Sequence, residues 1–343
     1  MYDPQFEDHV GMSMTQASAY SCESRRATLA GFGFSMLPRL SQAAIVNLVA
    51  IGRDGWLFPT WDEVRRVDLT RVKPVVGVVA QAVEIIKKAN IQIVFALTPV
   101  KSRVYEDMLP DDFKFTLDPQ RRYSEALSQF RALGTLAPDL FAPLQSLRKA
   151  QPTQPLFFKA DTHWNAAGAE AAAIAMAKEI KEKLKLPASA ASGIKLGAPS
   201  MLTQEKNDLA ALLPAADAAK YPLEIYQIRA VPVAAGVLLD DEPADVVVIG
   251  NSYMQPRFGF SAMLSNQLNR PVQLVWKVHQ YGPYQTLLSY LASNAFRRKK
   301  PSVIVWNFLE TDMIVPSNRK DVWGPNMIAP QAFLDEVQKA VGA

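Results

Sequence analysis

Short apolar runs alternate with longer amphipathic segments along most of this chain of 343 residues. The short runs have the length and the β-branched composition of buried strands, and they cover residues 91–97, 246–249, 272–278 and 303–306. The longer segments have the apolar spacing of helices, and they cover residues 75–90, 119–133 and 166–184. Strands that alternate with helices favour a parallel sheet with helices packed on it. We therefore predict an α/β fold.

The composition is that of an ordinary globular protein. Hydrophobic residues make up 49% of the chain and charged residues 20%, which agrees with one large globular domain or two small ones and argues against disorder. The net charge of +4 is spread over segments that also carry acidic residues. The densest basic stretch, residues 297–300, directly precedes a predicted strand and is typical of a solvated helix end. We therefore expect no nucleic acid partner.

Small or polar residues follow three of the predicted strands. Ser252 comes after the second run, Gly282 after the third and Asn307 directly after the fourth. Because the carboxyl ends of parallel strands meet at one edge of a sheet, we expect these three residues to converge. The backbone amides of Ser252 and Gly282 and the side chain of Asn307 would then be donors to an oxyanion beside a serine nucleophile.

The loop at 161–165 supplies the groups that such a serine needs. The chain has three histidines, one of them within the first ten residues, which leaves His163 and His279 as candidate bases. Asp161 lies two residues before His163, and a catalytic histidine needs a carboxylate to orient its ring and a hydroxyl to deprotonate. We predict that Ser252 is the nucleophile, His163 the base and Asp161 the orienting acid. His279 is the rival base.

Three more side chains are candidates for substrate binding. Trp164 directly follows the predicted base, and it is the tryptophan that we expect first to stack on a sugar. Tyr253 and Arg257 follow the predicted nucleophile, where Arg257 would either contact an acidic sugar or form an ion pair on the surface. Asn165 is a suitable N-cap for the helix predicted after it, and the N-terminus of that helix favours negative charge nearby.

The sequence predicts neither a metal nor a cofactor. Asp161 and His163 alone are too few ligands for a metal site, and Asp208 has no histidine near it in the sequence. Gly31 and Gly33 lack the preceding strand and the third glycine that a dinucleotide-binding loop requires.

Residues 1–44 have the pattern of an export signal. A twin-arginine pair, Arg25 and Arg26, precedes a moderately apolar stretch, and residues 41–44 are mostly small and suited to cleavage. We expect a signal of the twin-arginine (Tat) type over 1–44, a catalytic domain over 45–343 and a periplasmic location. Cys22 lies in the segment that would be removed, so the mature chain would have no disulfide.

Three short motifs together resemble a known family. They are Gly-Arg-Asp-Gly-Trp-Leu-Phe at 52–58, Asp-Thr-His-Trp at 161–164 and Gly-Asn-Ser-Tyr at 250–253, and their order is similar to that of the alginate O-acetyltransferases of the AlgJ and AlgX type. The resemblance implies an SGNH hydrolase-like fold, a flavodoxin-like parallel sheet flanked by helices, with the Asp-x-His motif ahead of the serine. It also implies that Ser252 accepts the acetyl group, with His163 as general base and Asp161 as its orienting carboxylate.

Three functions remain open at this point. In the first, Ser252 takes acetyl from a donor and passes it to a hydroxyl of an exopolysaccharide such as alginate, and the resemblance implies a membrane-bound O-acyltransferase as the acetyl supplier. In the second, water replaces the sugar and the protein is a periplasmic carbohydrate acetylesterase with the same three residues. In the third, the protein binds polysaccharide without catalysis.

Overall fold

The structure, a computed structural model, describes residues 48–189, 191–229, 231 and 243–342. The strands of these ranges are β1 (Val49–Ile51), β2 (Leu57–Pro59), β3 (Gln92–Thr98), β4 (Pro199–Thr203), β5 (Ile225–Arg229), β6 (Val246–Gly250), β7 (Val272–Trp276) and β8 (Val303–Leu309). The helices are α1 (Val72–Lys88), α2 (Lys101–Val104), α3 (Leu117–Ala132), α4 (Phe141–Ala150), α5 (Ala166–Lys183), α6 (Ala215–Ala218), α7 (Phe260–Leu268), α8 (Gly282–Leu291), α9 (Asn294–Arg298), α10 (Lys320–Trp323) and α11 (Pro330–Val341).

A four-stranded parallel sheet forms the centre of the fold, with the strand order β3-β8-β6-β7. The strands read as continuous apolar runs, as in Val246–Gly250, where all five residues are buried. This is what a parallel sheet requires, because helices cover both of its faces. Two antiparallel pairs, β1 with β2 and β4 with β5, form separate small sheets. The prediction of a parallel α/β sheet flanked by helices is confirmed.

Successive residues of each central strand belong to different hydrophobic clusters, as the two-residue repeat of a strand demands. On one face Val94, Val248 and Val305 pack with the alanine-rich side of α5 and with α7. On the other face residues such as Phe95 and Ile249 pack with α1, α3, α8 and α11. The sheet therefore lies between two helical layers, and its carboxyl edge remains available for loops.

Some predicted boundaries differ from the structure. The fourth run continues as a strand to Leu309, three residues beyond its predicted end, and this places Asn307 within β8 opposite Ala96. The third run ends at Trp276, two residues early. Helix α5 begins at Ala166 as predicted, and the Asn165 side chain caps it by accepting hydrogen bonds from two backbone amides of the first turn.

The predicted export signal, with Arg25, Arg26 and Cys22, lies outside the described residues, so its bounds at 1–44 and 45–343 remain predictions. Among the residues that the structure describes, no helix combines the length and the apolarity needed to cross a bilayer.

Candidate active site

Ser252 lies at the carboxyl edge of the sheet, immediately after β6. The Asn251 side chain accepts a hydrogen bond from the Tyr253 amide (3.0 Å), and this starts the single helical turn Ser252–Met254. Gly250 has no room for a larger residue, because a Cβ atom there would lie 2.5 Å from Cγ of Met254 and 3.0 Å from Oδ1 of Asn307. Because Gly250 packs so closely against Met254 and Asn307, the backbone leaves the strand here. Ser252 then lies partly exposed at the edge of the sheet.

The His163 ring reaches Ser252 from the loop before α5. Its Nε2 atom lies 2.9 Å from Oγ of Ser252, at hydrogen-bond distance. The ring is held on one side by Phe258, at a centroid distance of 5.5 Å and an interplanar angle of 29°, and it lies 4.9 Å from the Tyr253 ring. Two residues separated by 89 positions in the sequence are thus brought into contact.

Asp161 orients the histidine from the opposite side. Its Oδ1 atom accepts hydrogen bonds from the His163 backbone amide (2.9 Å) and from Nδ1 of the ring (2.7 Å). Burial alone would raise the pKa of Asp161, but the electrostatic interaction with His163 and these hydrogen bonds outweigh it and hold the pKa well below its usual range. The ionised carboxylate can only accept, so Nδ1 carries the proton and Nε2 presents its lone pair to the serine.

Lys101 holds the loop at 161–165 through buried hydrogen bonds. The side chain is fully buried, and Nζ donates to the backbone carbonyls of Leu57 (2.6 Å), Lys159 (2.9 Å) and Asp161 (3.0 Å). Burial lowers the pKa of Lys101 to about 8. Its three ammonium protons match three carbonyls, so the lysine joins β2 to the loop that carries the acid. A lone lysine after a strand carries no sequence signal for such a role.

The structure places Trp164 and Tyr253 beneath the site and not on its surface. Trp164 is fully buried, stacks on Phe260 and donates from Nε1 to the Tyr253 carbonyl (2.7 Å). The Tyr253 hydroxyl donates to the carbonyl of Thr162 (2.7 Å), and burial raises its pKa well above the usual value. The prediction that Trp164 stacks on a sugar is wrong, because its ring and its only donor are committed to packing. Tyr253 likewise joins the two loops and does not face a ligand.

Arg257 lies beside Phe258 and forms an ion pair of its own. Its guanidinium stands 4.8 Å from the centre of the Phe258 ring, the same ring that contacts His163. Its NH1 nitrogen lies 3.4 Å from a carboxylate oxygen of Glu205, whose side chain is 77% exposed. The surface ion pair is therefore formed, and contact with an acidic sugar stays a prediction.

Gly282 and Asn307 line one small pocket beside Gly250 and Asn251. Gly282 has a φ of 69°, and a Cβ atom there would lie 3.0 Å from the Trp323 ring, so only glycine suits this position. The convergence expected from the strand ends thus brings both residues next to the serine loop.

The role predicted for the Asn307 side chain is wrong. Its Nδ2 atom donates to the Ala96 carbonyl (2.8 Å) and to Oγ1 of Thr98 (2.9 Å), and its Oδ1 atom accepts from the Asn251 amide (3.4 Å). Both amide hydrogens are committed inside the sheet, because β8 is longer than predicted and Asn307 lies within it. The side chain therefore positions the loop before Ser252 and has no donor left for an oxyanion.

His279, the rival base, lies on the Gly282 side of the site. Its Nε2 atom lies 2.8 Å from Oδ1 of Asp312, and the ring packs near Trp323. Burial would lower the pKa of His279, but the Asp312 carboxylate outweighs it and raises the pKa. This histidine is engaged with a carboxylate, whereas the hydroxyl of Ser252 contacts His163.

Asp208 joins the site from a segment that the sequence did not connect with any histidine. One ligand atom from each of Asp161, His163 and Asp208 lies within 4.8 Å of the others, a grouping that a metal ion would also accept. However, Nδ1 of His163 is only 2.7 Å from the Asp161 oxygen, and two ligands of one zinc ion at about 2.1 Å each stand farther apart than that. The distance is that of a hydrogen bond between the ring and the carboxylate, so the arrangement favours acid–base chemistry.

A serine at the carboxyl edge of a parallel sheet, with an Asp-x-His loop ahead of it in the sequence, defines an SGNH hydrolase-like protein. Residues 49–310 match the family model described as SGNH hydrolase-like domain, acetyltransferase AlgX, and the chain belongs to this family. The family resemblance predicted from the three motifs is confirmed, and membership makes the chain an O-acyltransferase.

Relatives and solved structures agree with this assignment. The chain is 28% identical over 289 residues to a Pseudomonas putida protein named "Probable alginate O-acetylase AlgJ", covering 76% of this chain and 69% of the relative. The solved O-acetyltransferase domain of Pseudomonas putida AlgJ superimposes with a TM-score of 0.67 at 26% identity, over 85% of this chain and 99% of that domain. Pseudomonas aeruginosa AlgX superimposes with a TM-score of 0.59 at 17% identity, over 79% and 67%, and supports the fold alone.

Proposed function

We propose that this protein is a polysaccharide O-acetyltransferase in which Ser252 carries the acetyl group. The observation that supports the proposal is the chain of contacts from Asp161 through His163 to the Ser252 hydroxyl, at 2.7 Å and 2.9 Å. Relatives named as alginate O-acetylases indicate an acidic exopolysaccharide, such as alginate, as the acceptor.

The reaction proceeds in two acyl transfers. His163 Nε2 takes the proton of the Ser252 hydroxyl while Oγ attacks the acetyl carbonyl of the donor, and the protonated ring returns that proton to the leaving group. A sugar hydroxyl then attacks the acetyl-serine, His163 takes its proton, and the serine oxygen leaves and regains the proton from the ring. Asp161 keeps the ring oriented and stabilises its charged form in both steps.

Both steps develop a negative charge on the carbonyl oxygen of the acetyl group. The Asn307 side chain is committed inside the sheet, and the Gly282 amide donates to the His279 carbonyl. The donor proposed for this oxyanion is therefore the backbone N–H of Ser252. Arg257 is the proposed contact for a sugar carboxylate, in exchange for its exposed partner Glu205. An arginine pairs with a carboxylate through two parallel hydrogen bonds, which suits recognition of a uronate.

The setting of the reaction is also part of the proposal. A Tat-type signal over 1–44 would export the domain at 45–343 to the periplasm. Acetyl-coenzyme A is not expected there, so a membrane-bound O-acyltransferase would deliver the acetyl group to Ser252.

The test follows the acetyl group. The purified protein is incubated with an activated acetyl ester, alone and with uronate or neutral oligosaccharides. The masses of the protein and of the sugars are then measured by mass spectrometry. We expect the wild type to gain one acetyl group and pass it to the uronate oligosaccharides, and Ser252→Ala to do neither. Ser124→Ala, which alters an exposed serine on α3, is the matched control and keeps both activities.

Two results would contradict the proposal. Release of acetate at the same rate with and without sugar, and no acetylated sugar, would establish the carbohydrate acetylesterase. Sugar binding with no acetylation of Ser252 would establish a non-catalytic binding protein.

A further inference from the structure

The short segment around Asp208 is tied at several points to the loop that carries the acid and the base. Oδ1 of Asp208 accepts from the Thr162 amide (2.7 Å), and the other carboxylate oxygen, Oδ2, accepts from the Thr162 hydroxyl. The Asp208 amide donates to Oδ2 of Asp161 (3.2 Å). The amides of Leu209 and Ala210 both donate to the Ala160 carbonyl at 3.2 Å.

Together with the hydrogen bonds from His163, the bond from Asp208 gives both oxygens of the Asp161 carboxylate a partner. Its Oδ1 atom faces His163 and its Oδ2 atom faces the Asp208 amide, so the carboxylate cannot rotate without breaking a bond on one side. The Asp208 carboxylate itself stands close to the histidine, with Oδ2 3.7 Å from Nδ1 of the ring. The histidine ring therefore has two carboxylates on its Nδ1 side.

We infer that Asp208 is a second positioning acid of the site, which fixes the Asp161–His163 loop and adds negative charge beside the ring while His163 holds the serine proton. The inference rests on the proposed function and extends it by one residue. Asp208 acts through Asp161 and His163 and does not itself touch the reacting atoms.

The charged groups around this cluster come from several elements. Asp161 and His163 lie on the loop itself, and Lys101 at the start of α2 interacts electrostatically with Asp161, Asp208 and Glu224. Glu224, which lies just before β5, accepts a hydrogen bond from the Ala160 amide (3.0 Å). Burial, and then the charge of Asp161, raise the pKa of Asp208 above its ordinary value, so as the pH falls its charge is lost at a higher pH than that of an ordinary aspartate.

A negative charge beside the ring has two effects of opposite sign. It favours the protonated ring, so it stabilises the transition state in which His163 holds the proton and raises the maximal rate. It also makes the ring accept a proton from solvent more readily, which inactivates the base at low pH. Removal of the charge should therefore lower the plateau rate and at the same time extend activity to lower pH.

The experiment measures the rate of Ser252 acetylation by an activated acetyl ester between pH 5 and pH 9, using intact mass. Asp208→Asn keeps a group that can accept from the Thr162 amide and donate to its hydroxyl, but it removes the charge. We expect its plateau rate to fall about tenfold and its acid limb to move down by about one pH unit. Asp208→Ala also loses the hydrogen bonds and should be slower still.

Asp245→Asn is the control for the loss of one partly buried negative charge. Asp245 precedes β6 at the amino end of the sheet, opposite the end that carries Ser252, and it pairs with Lys299 at 2.7 Å. We expect its plateau rate and acid limb to match the wild type.

The outcomes separate this inference from the proposed function. If the wild type acetylates Ser252 and Asp208→Asn has the wild-type plateau and acid limb, the inference is wrong while the proposed function stands. A lower melting temperature of Asp208→Ala with an unmoved acid limb in Asp208→Asn would reduce Asp208 to a structural residue. A wild type that is never acetylated would overturn both.

Discussion

The buried side chain of Lys101, which binds the loop at 161–165 (the acid loop), leads to a quantitative prediction of how stability depends on pH. Lys101 has an ordinary pKa of 10.5, and burial lowers it to about 8 in the folded protein. Between these values the unfolded chain binds the proton and the folded protein does not, so the free energy of unfolding must rise with pH. The two values differ by about 2.5, which corresponds to about 3 kcal/mol for a fully buried group.

The rise in the free energy of unfolding due to Lys101 can be measured between pH 8 and pH 10. Above pH 10 the buried tyrosines, including Tyr253, act in the opposite direction, because their pKa values are raised in the folded state and their contribution to stability is lost as they ionise. Between pH 8 and pH 10 we expect the wild type to gain about 2 kcal/mol of unfolding free energy from Lys101.

The test compares Lys101→Met with the wild type by urea denaturation at half-unit steps of pH. Methionine has a similar length and no charge, so the rise between pH 8 and pH 10 should disappear. Lys339→Met, which alters a lysine with a 79% exposed side chain on α11, is the control and should keep the full rise. If Lys101→Met shows the same rise as the wild type, the lysine does not titrate with a lowered pKa and the reasoning fails.

Three further predictions concern the site. Asp161→Asn removes the charge that orients His163, and the acetylation rate of the serine should fall about 10³- to 10⁴-fold with the fold intact by circular dichroism; a loss below tenfold would contradict the role of the acid. Trp164→Phe keeps an aromatic ring but loses the buried N–H donor. It should lower the free energy of unfolding by about 1–3 kcal/mol in urea and leave the KM for oligosaccharide unchanged; a raised KM would restore the stacking role. Gly250→Ala should cost about 1–3 kcal/mol in the same assay, because the new methyl group overlaps Met254, and a wild-type melting temperature would show that the contact relaxes easily.

Local patterns were sufficient where a residue acts through its immediate neighbours. The apolar run before Gly250 was predicted to be a buried strand, and it is one. Asn165 was predicted to cap the helix after it, and its side chain does so, because capping depends on a few adjacent residues.

The errors arose where a pattern continued past its expected end. The run from 303 was expected to stop at its tryptophan, but Asn307 pairs opposite Ala96 and the strand continues to Leu309. A polar side chain normally signals the end of a buried strand, and here hydrogen bonds inside the sheet satisfy it. Trp164 was misread for a related reason, because its burial depends on Phe260 and on the Tyr253 carbonyl, which are distant in the sequence.

The sequence by itself determined the class of the protein. The alternation of strands and helices specifies a parallel sheet, and three short motifs specify the family, because each depends on residues that are adjacent in the chain. Only the tertiary structure decided which groups surround the His163 ring. The 2.9 Å contact with Ser252 joins residues 89 positions apart, and Lys101 and Asp208 reach the acid loop from 60 and 47 positions away. No local pattern encodes such distances, because they depend on how the loops at the edge of the sheet pack together.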